Sequence, residues 1–355
     1  MKTSMIAIAL MSAAGAAVAQ QHVVFATLQD QIFVHDGQAS GAQTLLYTNP
    51  NGANDPDVNY GGLVRGPGET FWLHSAPRPI QDTANARILR LDNLFGGATE
   101  TVLASNTPVQ QPAGMLFDPT TRNLITINNP GSTANVNPRF EGVIGVNVDD
   151  GTVSTIFEEN PNDPAPRYFA AAGITMAAGM NPNEYFITSV NGGAGGTPTP
   201  NGESSVIVKL TVDPNTLNGT VETVLDLTAA NTGLASDLTF TRAIEKIDGT
   251  NDYLLSDAAD NAIYRASFDA AGNYQGISLV RDGFASAGGL KYDNTDGTIV
   301  FYDPGADELY RISLDGSTIE TLASNVEINS FVLIPAPGTA ALLGLGGLVA
   351  ARRRR

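Results

Sequence analysis

TIVFYDPGADELYRISLDGSTIETL, residues 298–322, carries the plan on which the rest of the chain is built. Apolar and polar residues alternate through Thr298–Asp303 and again through Glu308–Ser313, the period of two that marks half-buried strands. Pro304-Gly305-Ala306-Asp307 and Leu314-Asp315-Gly316 supply the turns between the runs. A third short run ends at Leu322.

Working outward, the same strand, turn and strand recur. The closer copies are ARILRLDNLFGGATETVLAS (86–105), SVIVKLTVDPNTLNGTVETVLDL (205–227), NAIYRASFDAAGNYQGISLV (261–280) and ELYRISLDGSTIETLAS (308–324). GVIGVNVDDGTVSTIFEE (142–159) and QIFVHDGQASGAQTLLYT (31–48) fit more loosely. Five copies follow a further strand pair: GGLVRGPGETFWLHS (61–75), GMLFDPTTRNLITINN (114–129), GITMAAGMNPNEYFITS (173–189), SDLTFTRAIEKIDGTNDYLLSD (236–257) and GGLKYDNTDGTIVFYD (288–303). The sixth unit has only HVVFATL (22–28), QIFVHD (31–36) and AQTLLYT (42–48) and lacks a first strand, which NSFVLI (329–334) can supply from the far end of the chain. Open sheet edges invite pairing with other chains, so a ring of four-stranded sheets must close. These spacings predict an all-β fold, a six-bladed β-propeller closed by pairing of its N- and C-terminal strands. A pair of β-sandwiches would not account for six copies at near-regular spacing.

The last unit resembles the YWTD and NHL-type propeller repeat. Phe301-Tyr302-Asp303 stands near the Y-W-T-D position, and Leu309-Tyr310-Arg311 with Leu314-Asp315-Gly316 matches the I-x-R and L-D-G stretches. YLLSDAADNAIYRASFD (253–269) is a weaker match. The resemblance implies blades and their number, and it implies that Asp257 and Asp303, at equivalent strand ends, make hydrogen bonds between blades.

The two ends of the chain read differently from its body. Lys2, the apolar run Met5 to Val18 and the box Ala17-Val18-Ala19 form a secretory signal peptide, cleaved after Ala19. This makes residues 1–19 a leader and residues 20–334 the propeller. Residues 335–355 begin with Pro335-Ala336-Pro337, continue as a glycine-rich apolar run, and end in Arg352, Arg353, Arg354 and Arg355. As a helix, residues 339–351 would span about 20 Å, short of the roughly 30 Å core of a bilayer. The arginines would stay cytoplasmic and the body outside. This tail resembles a PEP-CTERM sorting signal with P-A-P in place of P-E-P. The resemblance implies transient membrane insertion, an exosortase-like transpeptidase and signal peptidase as processing partners, and a cell-surface or extracellular destination. A simple uncut anchor is the alternative.

Composition narrows the chemistry. The 355 residues include no Cys and only His22, His35 and His74, which excludes thiol catalysis and argues against a multi-His metal centre. A net charge of −17 argues against nucleic acid. Loss of Lys2 and the four terminal arginines, with no acid lost, takes it to −22. No nucleotide loop, G-x-S-x-G elbow or H-E-x-x-H is present.

With the strands of a blade lettered a to d from the axis outward, the b–c and d–a connections share one face. The long segments 75–86, 129–141, 191–204, 49–60 and 160–168 lie there, which predicts the binding surface, for a polysaccharide or a protein. A longer a–b segment is expected at 242–251. Asp55-x-Asp57-x-Asn59 resembles the start of a calcium loop, although Tyr60 and Gly66 stand where an EF-hand has Gly and an acid, and an Asx-turn loop is the alternative. Calcium is the only cofactor the sequence suggests. Trp72, the single Trp, either packs between blades or faces a ligand; His74 at the strand end is a loop hydrogen-bonder or a base. Arg167 and Tyr168 lead into a strand near the channel mouth, a cation with an aromatic neighbour, and Tyr60 stands at another entry. The small residues at the other strand entries leave that mouth poor in catalytic groups. The sequence therefore favours an exported binding or scaffolding propeller; the alternative is a secreted hydrolase, lactonase or lyase with a calcium-assisted site.

Overall fold

The computed structural model describes residues 21–27, 31–49, 58–77, 86–105, 109, 112–128, 142–159, 175–190 and 204–334. The side chains of residues 58–61, 76, 77, 112, 113 and 190 fall outside that description, as do the leader and the C-terminal tail. Among the described residues the alternating runs form 24 strands in six four-stranded antiparallel sheets.

Blade 1 is β24 (Ser330–Ile334), β1 (His22–Ala26), β2 (Gln31–His35) and β3 (Gln43–Thr48), counted from the axis outward. Blade 2 is β4 (Val58–Arg65), β5 (Phe71–Pro77), β6 (Arg87–Asp92) and β7 (Thr99–Ser105). Blade 3 is β8 (Pro112–Asp118), β9 (Asn123–Asn128), β10 (Gly142–Asn147) and β11 (Val153–Glu158). Blade 4 is β12 (Thr175–Ala178), β13 (Glu184–Val190), β14 (Ser205–Val212) and β15 (Gly219–Asp226). Blade 5 is β16 (Thr241–Lys246), β17 (Asp252–Asp257), β18 (Ala262–Phe268) and β19 (Tyr274–Arg281). Blade 6 is β20 (Leu290–Asp293), β21 (Thr298–Asp303), β22 (Glu308–Ser313) and β23 (Ile319–Ser324). Two single-turn helices, α1 (Leu94–Gly97) and α2 (Ala229–Thr232), lie in connections.

The closing strand is where the incomplete unit requires it. β24 pairs antiparallel with β1, from His22↔Ile334 to Ala26↔Ser330. The a strands then touch neighbour to neighbour around the axis: β24, β4, β8, β12, β16, β20 and back to β24.

The core is divided among the blade interfaces. Each of six apolar clusters among the described residues joins two adjacent blades, for example Ile127 and Val143 of blade 3 with Ile187 and Val208 of blade 4. Middle strands are thus covered on both faces, and β14 is buried at six of its eight positions. Aromatic rings span these joints: Trp72 lies 4.9 Å from Phe117 and Phe186 stacks 4.8 Å from Tyr253.

A bulge recurs in every d strand. Opposite the start of each c strand the register slips by one residue, leaving Leu46, Leu103, Ile156, Val224, Val280 and Leu322 as the extra residues. All six are aliphatic. A bulge adds local twist, which the outermost strand of a blade needs most. The carbonyls of two of these residues sit against turn glycines of the next blade. A Cβ on Gly151 would meet the Leu103 oxygen at 2.0 Å, and one on Gly316 the Val280 oxygen at 1.8 Å, and both glycines have positive φ.

Two boundaries differ from the sequence reading. β4 starts at Val58, so Asn59 is a strand residue paired with Ala76 rather than part of a loop. In blade 5 the a strand is Thr241–Lys246, so the long a–b segment expected at 242–251 shrinks to residues 247–251.

Candidate functional site at the channel mouth

The six a strands enclose a cavity of about 820 Å³ on the propeller axis. Its lining includes Phe240, Thr175, Pro304, Asp307 and Asn329, which lie in or beside b–c and d–a connections, so it opens on that face. The wall is largely apolar: Leu63, Met115, Met176, Ile244, Leu290 and Phe331 contribute, with glycines at Gly62, Gly114, Gly288 and Gly289.

Three a strands are bulged at this lining. The register slips between Gly61 and Val64, between Pro112 and Met115, and between Thr241 and Ala243. In blade 5 the extra residue is Arg242, and it lines the cavity. A bulge re-aims a side chain; here the residue that is released from the alternation carries the guanidinium. Arg242 is held over the Phe240 ring, 4.8 Å from its centroid, and its Nη1 donates to Ser286 Oγ at 3.5 Å. It makes no ion pair among the described residues. Burial pulls its pKa below the ordinary guanidinium range, opposed by the nearby charge of Asp257.

Asp257 is engaged elsewhere. Its carboxylate accepts from Phe240 N at 3.0 Å, Thr241 Oγ1 at 3.2 Å, Ala259 N at 2.9 Å and Asp260 N at 3.1 Å. Burial raises its pKa and these backbone donors oppose the rise. Asp303 does the same in blade 6, accepting from Ala285 N, Ser286 N, Gly305 N and Ala306 N at 2.8–3.2 Å. Both aspartates therefore fasten the segment entering their own blade to their own b–c turn, rather than bonding blade to blade as the repeat resemblance implied. Bonds between blades include Ser256 Oγ, which donates to Gly288 O at 2.6 Å, Leu63 N, which donates to Ser330 Oγ at 2.9 Å, and Thr241 N, which donates to Ser205 Oγ at 3.1 Å.

His74 lines the cavity from blade 2, opposite Arg242 of blade 5 in a ring of six. Its Nδ1 is buried without a partner, so Nε2 is the nitrogen that faces the channel. Burial lowers its pKa to about 4, and the ring is neutral at pH 7. Lys291, deeper in the channel, is paired with Glu245 at 2.7 Å.

The other sequence candidates are distributed as follows. Trp72 is 3% exposed, packed on Phe117 and over Gly66, and lines no part of this cavity. Asn59 and Tyr60 are on β4 with side chains outside the description. Asp55, Asp57, Arg167 and Tyr168, and residues 1–19 and 335–355, where a leader and a sorting tail are expected, lie outside the described residues. Among the described residues no three of His, Asp and Glu gather as a metal site, and no helix is long and apolar enough to cross a membrane. A second cavity of about 340 Å³ lies between blades 4 and 5, where Lys209 pairs with Glu222 and Glu184 accepts from Asn181.

Arg242 was missed from the sequence because the run around it was read as a connection. The signal was present in TRAIEK, residues 241–246: with Arg242 set aside as a bulge, the remaining residues extend the strand.

No protein-family model and no curated protein sequence matches the chain. Solved structures do. A chain in the crystal structure of a nidogen/laminin complex aligns over 88% of this chain and 98% of its own length, with a TM-score of 0.59 and 12% identity. An X-ray structure of a protein named a gluconolactonase aligns over 79% of this chain and 87% of its own, with a TM-score of 0.52 and 13% identity. At such identities the likeness is one of fold, and it places this chain among six-bladed propellers of four-stranded antiparallel blades.

Proposed function

We propose that this chain is the body of an exported binding propeller that takes its ligand at the channel mouth. The leader carries it across the membrane, and the tail beginning at Pro335 holds it transiently for an exosortase-like transpeptidase that delivers it to the cell surface or matrix. The observation that supports binding is the lining of the channel: a mostly apolar wall that carries Arg242 without an ion pair among the described residues, a neutral His74 across from it, Lys291 paired with Glu245, and Asp307 and Glu327 beside the connections. Such a concave apolar site with a few placed polar groups suits a ligand that is held in one orientation. The related-fold gluconolactonase sets the contrasting reading, a calcium-assisted hydrolase, lactonase or lyase.

The test is turnover. Full-length protein is incubated with lactones, esters and glycans, with calcium or with a chelator. The binding reading expects no conversion of any of them and a melting temperature that does not depend on calcium. Saturable, calcium-dependent conversion would replace it with the enzyme. For the tail, mass and location are compared in hosts with and without an exosortase; a full-length product at the same membrane in both would leave a plain anchor.

A further inference from the structure

Resting on that reading, we infer that the channel binds a small organic acid with an apolar body, its carboxylate on Arg242 and its chain along the wall of the channel.

Charge comes first. A guanidinium with no ion pair, against a mostly apolar wall, has lost part of its hydration, and an anion or strong acceptors restore it. The acid nearest to it, Asp257, has each oxygen committed to two donors of its own blade. Ser286 offers a single hydroxyl at 3.5 Å. The guanidinium therefore retains donors for an oxyanion, and its planar fork fits a carboxylate in two parallel bonds. The bulge between Thr241 and Ala243 makes this placement specific, since a regular register would put Arg242 on the other side of the strand.

The wall decides what the rest of the ligand is. Leu63, Met115, Met176, Ile244, Leu290 and Phe331 offer no hydrogen bonds to a polyhydroxylated body. The Ser330 hydroxyl in that wall already accepts from Leu63 N. Thr175, Asp307, Glu327 and Asn329 offer polar groups beside the connections, but along the apolar a-strand wall a sugar acid would leave hydroxyls unsatisfied, whereas each methylene of an aliphatic acid gains by burial. The cavity, at about 820 Å³, is large enough for an acid of medium chain length. His74 across the channel is neutral and Lys291 is paired with Glu245, while the acids of the lining, Asp307 and Glu327, lie in the b–c and d–a connections rather than on the a-strand wall.

The experiment is calorimetric titration of full-length protein with octanoate, 1-octanol and gluconate, on wild type and on Arg242→Met and Arg242→Lys. Octanoate is expected to bind with a dissociation constant of about 10 μM to 1 mM, and octanol and gluconate at least about tenfold more weakly. Arg242→Met loses about tenfold or more of the octanoate affinity, Arg242→Lys recovers part of it, and neither variant melts below wild type. Melting curves of each variant separate lost binding from lost folding. Octanol binding as tightly as octanoate, gluconate binding more tightly, or unchanged octanoate affinity in a folded Arg242→Met protein would each overturn the inference. Binding of another ligand class in those cases would leave the binding reading standing, and only the turnover assay bears on that.

Discussion

Asp303 illustrates how a single carboxylate can organise a blade. It is 1% exposed, and four backbone N–H groups converge on it from the entering segment and from the b–c turn. Asparagine keeps one acceptor oxygen and turns an N–H₂ toward donors, so Asp303→Asn should cost about 2 kcal/mol in denaturant unfolding. His74 sets a pH dependence of its own. Its folded pKa of about 4 lies below the unfolded value, so as pH falls from 6.5 the unfolded chain takes the proton first. Stability is therefore lost between pH 6.5 and about 4, by up to about 3 kcal/mol from this group. Burial depresses His22 and His35 in the same direction. In His74→Phe the fall in melting temperature over that window should be smaller than in wild type; an equal fall would remove His74 as a cause.

The strand that closes the ring is the element on which the fold most depends. Ser330–Ile334 pairs with β1 along its whole length and packs Phe331 and Val332 against the blades on either side. A chain ended at Ile334 should melt like the full-length protein, whereas one ended at Ile328 exposes the edge of β1 and should aggregate or lose its cooperative transition. Equal melting of the two would mean that the closure is dispensable. This element was legible in the sequence because blade 1 visibly lacked a first strand and NSFVLI had no other partner. The d-strand bulges were not, since an aliphatic pair such as Val102-Leu103 looks like a continuous strand until the register across β6 is known. The first strand of blade 5 was placed too early for a related reason: the bulge at Arg242 breaks the period of two that marks a strand, so 242–251 reads as a connection.

At the scale of the whole molecule, repeated sequence units dictate a ring, and the ring creates a channel that no single repeat encodes. The number of blades could be counted from the repeats. Which side chains share the axis could not, because Gly62, Met115 and Arg242 reach it through irregular pairing set by three different bulges. The site is therefore a property of the closed assembly, with Arg242 as its charged point. A crystal structure of the full-length protein grown with octanoate tests this most directly. The carboxylate is expected on the Arg242 guanidinium, with the alkyl chain lying along Met115, Met176 and Leu290. An unoccupied channel with octanoate bound elsewhere, or a carboxylate turned away from Arg242, would contradict it.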